Sequence, residues 1–181
     1  MATCEATARP DMVGDDLAAM AEELMRFLKE QRLTLVVAES CTAGLMGKVL
    51  SDVPGAGAHF HGGFVTYTKA HKARALDVPV DLLRQKGAVC AEVARAMAQG
   101  ALAHSPAQLS AAITGVAGPE PDPDDNPVGR VCIAVARHDT PTTAFEKNYG
   151  DIGRDAVRKS AIADALRALI AAARQVPAGA P

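Results

Sequence analysis

The stretch Val36-Val37-Ala38-Glu39-Ser40-Cys41-Thr42-Ala43-Gly44 decides how this 181-residue chain is read. Leu33 to Ala38 is a short continuous apolar run rich in Val and Leu, the pattern of a strand buried on both faces. It passes directly into a segment expected to be helical over about Thr42 to Leu50 and stopped by Val53-Pro54-Gly55. In open α/β sheets, ligands bind beyond the carboxyl ends of strands, where a helix amino terminus offers free N–H groups. Ser40 therefore stands where a nucleophile would be useful. The same hydroxyl, or that of Thr42, also suits a plain helix cap, and the segment alone does not decide between the two.

Outward from this stretch, helices alternate with strands. Asp15 to Gln31 repeats Leu17, Met20, Ala21, Leu24, Phe27 and Leu28 at steps of three and four, which predicts an amphipathic helix. Gly63 to Tyr67 is expected as a second strand, with helical segments over Ala70 to Leu76, Asp81 to Gln85 and Ala91 to His104. Leu109 to Thr114 reads as another buried strand. A loop holding Pro119, Pro121, Pro123 and Pro127 leads to a strand over Val128 to Arg137, and the turn His138-Asp139-Thr140-Pro141 joins it to Thr142 to Tyr149 as an antiparallel hairpin. Arg154 to Arg174 forms the last helix. The pattern predicts an α/β fold of three layers, α/β/α, on a mixed, roughly five-stranded sheet. One domain over 13–174 is expected, with loose tails at 1–12 and 175–181.

Composition narrows the function. With 19 basic and 21 acidic residues and only 3% aromatics, the chain has neither the basic cluster nor the stacking surface of a nucleic-acid binder. No apolar stretch reaches the roughly 18 residues that span a bilayer, so no membrane partner is expected and a cytoplasmic setting is. Cys4, Cys41, Cys90 and Cys132 have neither zinc-site spacing nor the density of a disulfide scaffold. Glu120, Asp122, Asp124 and Asp125 offer oxygen ligands, yet their spacing fails the calcium-loop pattern, and no metal is expected. Cys41, beside Ser40, is a second candidate nucleophile if its thiol pKa is depressed.

Several further motifs accompany Ala38-Glu39-Ser40-Cys41-Thr42 and Gly44. They are Asp52-Val53-Pro54-Gly55, Gly62-Gly63-Phe64-Val65-Thr66-Tyr67, Lys72, Gly87-Ala88-Val89, Thr114-Gly115-Val116-Ala117-Gly118-Pro119 and Pro127-Val128-Gly129. In this order, over about Leu17 to Ala172, they resemble the CinA carboxy-terminal domain family, whose stand-alone PncC-like members are nicotinamide-nucleotide amidohydrolases. The resemblance implies deamidation of nicotinamide mononucleotide to nicotinate mononucleotide plus ammonia, without a metal or organic cofactor. It implies a serine nucleophile assisted by lysine and tyrosine, here Ser40, Lys72 and Tyr67, and a symmetric homo-oligomer. Chemically, a serine hydroxyl needs a base, and a lysine serves when burial or nearby cations lower its pKa. Without the resemblance, Lys72 reads as a solvated helix residue and Tyr67 as strand-end packing.

Glu39, Thr42 and Gly44, with the Thr114, Gly115, Ala117 and Gly118 loop, are the candidate substrate-binding backbone, since such a loop can wrap a phosphate or a carboxamide. Arg154, followed by Arg158 in the last helix, is the candidate phosphate contact. Three departures from the family pattern stand out. Lys69 replaces an expected asparagine and competes with Lys72 as base. The loop Glu120-Pro121-Asp122-Pro123-Asp124-Asp125-Asn126 replaces a glycine-rich stretch ending in lysine, and places carboxylates where a phosphate is expected. Two extra residues separate Gly150-Asp151 from Arg154. A different small amide as substrate, or a silent ligand- or partner-binding member, are the alternatives these departures leave open.

Overall fold

A computed structural model describes residues 12–138 and 140–174. The tails expected at 1–12 and 175–181 lie outside the described residues except for Met12, which begins the first helix, and so does Asp139 of the hairpin turn. In chain order the elements are α1 (Met12–Gln31), β1 (Leu35–Glu39), α2 (Leu45–Ser51), β2 (Phe60–Val65), α3 (Lys69–Leu76) and α4 (Val80–Lys86). Then come α5 (Ala91–Ala103), β3 (Leu109–Gly115), β4 (Arg130–Arg137), β5 (Thr143–Asn148) and α6 (Arg154–Arg174).

The strands form one mixed five-stranded sheet in the order β2-β1-β3-β4-β5, with helices on both faces. β1 pairs in parallel with β2 and β3, so the carboxyl ends of all three meet at one edge. The expected β4–β5 hairpin is present, and β4 also runs antiparallel to β3, a second antiparallel pairing beyond the one read from the turn signal. Alternation along the strands splits the core in two. Leu35, Val37, Leu109, Ala111, Ile113 and Ile133 face α1, α2 and α6, whereas Val36, Ala38, Ala112, Cys132 and Ala134 face α3 to α5. All five residues of β1 are buried, which is why its sequence is a continuous apolar run up to Glu39.

α5 presents Ala94, Ala98 and Ala101 to the second core, side chains small enough to let helix and sheet approach closely. Gly100 takes this further. A Cβ at that position would lie 2.0 Å from the Leu76 carbonyl oxygen, so only glycine lets α5 cross the last turn of α3. That crossing fixes the helix that carries Lys72.

Most element boundaries differ from expectation by one to three residues, and two of the larger shifts have local reasons. β2 occupies 60–65 rather than 63–67, because Gly62 at φ 127° absorbs a register irregularity that pairs Leu35 with Phe60 but Val36 with Gly62. α2 begins at Leu45 rather than Thr42, because Ala43 (φ 53°) and Gly44 (φ 93°) are left-handed and turn the chain before the helix starts.

Candidate active site

Ser40 extends the strand ladder by one residue, its N–H donating to the Ile113 carbonyl at 3.0 Å. The chain then turns tightly, with Ala43 N–H on the Ser40 carbonyl and Leu45 N–H on that of Thr42. Neither hydroxyl caps α2. The cap is the carboxylate of Glu39, which accepts from the N–H groups of Gly44 (3.0 Å), Met46 (3.1 Å) and Gly47 (2.8 Å). A buried carboxylate is held at a helix amino terminus by these donors and by the helix dipole. The turn carrying Ser40 is thus clamped from behind, and Ser40 is relieved of capping.

Lys72 arrives from the neighbouring strand. β2 ends at Val65, Thr66 donates its N–H to the Glu39 carbonyl at 2.8 Å, and Thr68 caps α3 by accepting from the His71 N–H at 3.1 Å. Lys72 lies one turn into α3 with a relative exposure of 0%, the largest fully buried side chain described. Its Nζ lies 2.7 Å from the Ser40 Oγ and 2.7 Å from the Thr66 carbonyl oxygen. No carboxylate pairs with this amine among the described residues. Desolvation therefore dominates and pushes its pKa down to about 8. A neutral amine has two hydrogens and one lone pair. One hydrogen can go to Thr66 while the lone pair receives the Ser40 proton. Cys41 is in the opposite state, because burial pushes its thiol up to about 12 and removes it as a thiolate nucleophile.

Ser40, but not the enclosed Lys72 behind it, lines a cleft of about 490 Å³ at the carboxyl edge of the sheet. Ser40, Tyr67, the Thr114 to Gly118 loop and Arg154 all line it. Glu39, Thr42 and Gly44 do not. Glu39 is spent on α2, Gly44 donates to it, and the buried Thr42 hydroxyl has no hydrogen-bond partner among the described residues. Within the loop, Thr114 Oγ1 donates to the Ala88 carbonyl at 2.8 Å, while the Ala117 and Gly118 N–H groups have no backbone acceptor among the described residues. Tyr67 stands on the rim with 64% exposure, and the group holding Lys72 is the carbonyl of Thr66, a contact the motif reading did not single out.

The departures from the family pattern meet one another here. Lys69 Nζ pairs with the Asp124 carboxylate at 2.7 Å, joining α3 to the acidic loop at the cleft. Asp122 is also occupied. Its carboxylate accepts from the Asp124 N–H (3.0 Å), the Asn126 N–H (2.8 Å) and the Asn126 amide (2.8 Å), and Asn126 Oδ1 in turn accepts from Arg130 at 2.5 Å. Of the three carboxylates that line the cleft, Asp124 is paired with Lys69 and Asp122 is bonded within its own loop, while Glu120 has no ion-pair partner among the described residues. Among the described residues no group of three or more His, Cys, Asp or Glu side chains is placed to hold a metal ion. Arg154, despite the extra residues before it, lines the cleft and donates from Nε to the Gly118 carbonyl at 2.8 Å.

Residues 17–173 match the sequence profile of a family described as the CinA C-terminal domain. A CinA-like protein of Geobacter sulfurreducens is 44% identical over 154 residues, covering 82% of this chain and 37% of that protein. A CinA-like protein of a Synechococcus strain is 41% identical over 157 residues, covering 86% and 37%. The chain thus spans little more than a third of the length of these curated relatives. Among solved structures, the competence/damage inducible protein CihA of Agrobacterium tumefaciens superposes with a TM-score of 0.84 at 37% identity, covering 88% of this chain and 96% of that one. A CinA superfamily protein of Escherichia coli gives 0.78 at 30% identity, covering 93% and 94%.

Proposed function

We propose that this chain, which belongs to the CinA C-terminal domain family, is an amidohydrolase that converts nicotinamide mononucleotide to nicotinate mononucleotide and ammonia. The observation that carries this reading is the contact of 2.7 Å between the buried Lys72 amine and the Ser40 hydroxyl at the floor of an open cleft. A serine paired with a lysine whose pKa is lowered to about 8 is an activated nucleophile, and such pairs suit acyl transfer.

In the first half-reaction the Ser40 Oγ bonds to the carboxamide carbon as its proton moves to Lys72 Nζ. The oxyanion that forms needs N–H donors, for which Ala117 and Gly118 on the cleft wall are our candidates. The C–N bond then breaks as the Lys72 ammonium returns the proton to the departing nitrogen, which leaves as ammonia. A water attacks the resulting ester, its proton passes to Lys72 and on to Ser40, and the acid is released. Thr66 holds the amine in place throughout. No metal or organic cofactor enters these steps. Arg154 supplies a guanidinium for the nucleotide phosphate, and Tyr67 on the rim covers the substrate.

The test is to supply the purified protein with nicotinamide mononucleotide and measure ammonia and nicotinate mononucleotide, with Ser40→Ala as control. Turnover surviving in the control rules the mechanism out. Hydrolysis of a different small amide is the second reading, favoured by Glu120, which lines the cleft without an ion-pair partner among the described residues. The same assay on a panel of cationic amides distinguishes the two. No described helix is long and apolar enough to cross a membrane. A cytoplasmic setting, expected from the sequence, and a symmetric homo-oligomer, on the family resemblance alone, complete the reading.

A further inference from the structure

Arg158 sits one turn beyond Arg154 on α6, and both line the Ser40 cleft. Each guanidinium is pinned through Nε to a backbone carbonyl, Arg154 to Gly118 and Arg158 to Cys41, both at 2.8 Å. Neither has a carboxylate partner among the described residues, whereas Lys69, which lines the same cleft, is ion-paired with Asp124. Two unneutralised guanidiniums one helical turn apart on a cleft wall favour an anion. Their anchors differ in consequence. Gly118 belongs to the cleft wall, but Cys41 directly follows the nucleophile, so the Arg158 Nε bond ties the turn that aims Ser40.

We propose that Arg158 is a positioning residue that couples the anionic end of the substrate to the placement of Ser40. This rests on the amidohydrolase reading above. One edge of the guanidinium holds the Cys41 carbonyl, and its Nη groups meet the substrate phosphate. A phosphate seated there fixes the guanidinium plane and, through it, the nucleophile turn. Remote binding energy is thereby converted into turnover rather than into affinity alone. Arg154, anchored to the wall, contributes affinity. A lysine at 158 keeps the charge but has no planar fork with which to bond carbonyl and phosphate together.

The experiment compares the parent, Arg158→Lys and Arg154→Lys on nicotinamide mononucleotide, and on nicotinamide riboside with and without added inorganic phosphate. Thermal melts verify folding, and Arg158→Gln serves as the second variant. The expected result for Arg158→Lys is a kcat reduced about tenfold or more with KM changed by less than about threefold. Arg154→Lys is expected to raise KM chiefly. Inorganic phosphate is expected to stimulate riboside hydrolysis by the parent and not by Arg158→Lys. An unchanged kcat in Arg158→Lys, a loss confined to KM, or equal phosphate stimulation of both proteins overturns the coupling and leaves the amidohydrolase reading intact. A parent that leaves the mononucleotide unhydrolysed overturns both.

Discussion

Lys69 and Asp124, 55 residues apart in sequence, form an ion pair at the mouth of the cleft, while Lys72, one turn further along the same helix, has no carboxylate partner among the described residues. The two lysines thus divide the work that sequence could not divide. Lys69 is half exposed, paired and charged, whereas Lys72 is enclosed and placed on Ser40.

Replacing the two lysines separates these roles. Lys72→Met is expected to lower kcat by a factor on the order of 10² to 10⁴, the range for losing a general base. Lys69→Met is expected to retain turnover within about tenfold, since an exposed pair contributes only about 0–1 kcal/mol. Steady-state ammonia release measures both, and the reverse ranking assigns the base to Lys69.

The pH dependence follows from the same burial. The amine must be neutral to accept the Ser40 proton, so kcat/KM is expected to rise with pH and level off above about 8. A rate that stays flat between about pH 6 and about pH 9, roughly two units below that value and one above it, removes Lys72 as the titrating base.

The enclosed amine also has a stability cost of calculable sign. Its folded pKa, about 8, lies below its unfolded value of 10.5, so between these pH values the unfolded chain binds more protons and stability rises with pH. Below pH 8 the full cost is present, up to about 3 kcal/mol at roughly 1.4 kcal/mol per unit. Lys72→Met is therefore expected to melt higher than the parent at pH 7, by about 2–4 °C per kcal/mol, with the advantage shrinking towards pH 10. A variant that melts lower at pH 7 contradicts this.

Glu39 tests the clamp behind the nucleophile. Glu39→Gln replaces one acceptor oxygen with an NH₂ group facing helix N–H donors, and is expected to destabilise the fold by about 2 kcal/mol. Denaturant unfolding measures it. Because Glu39 does not line the cleft, KM is expected to hold while kcat falls.

Cys41 is expected to be dispensable. With its thiol pushed up to about 12 and packed in the core, Cys41→Ala is expected to keep turnover within about threefold, and thiol alkylation at pH 8 to leave activity intact. Rapid inactivation traced to Cys41 contradicts that.

Much of the fold was legible because buried strands declare themselves as unbroken apolar runs. Val36 to Ala38 and Leu109 to Ile113 did so, and the position of Ser40 at a strand end followed. β2 was harder, since Gly62 and Gly63 remove the apolar alternation from the part of the strand that carries the register irregularity. The role of Glu39 was hidden because its acceptors reach residues five to eight further on, past a left-handed turn that motif spacing does not reveal. Lys72 was found through a family resemblance. Its burial against Ser40 depends on β2 lying beside β1 and on Gly100 admitting α3, both tertiary facts. The Lys69–Asp124 pair left a faint signal, opposite charges at two unusual positions in the same family pattern.

The central claim is that Ser40 is the nucleophile and Lys72 its base, and the most direct measurement is the mass of the acylated protein. Mixing the parent with nicotinamide mononucleotide and quenching in acid within the first turnovers is predicted to leave the nicotinate-nucleotide acyl group esterified to Ser40, and to leave Lys72→Met unmodified. An acyl group on Cys41 or on any other residue, or the same Ser40 adduct formed at the parental rate in Lys72→Met, contradicts the account.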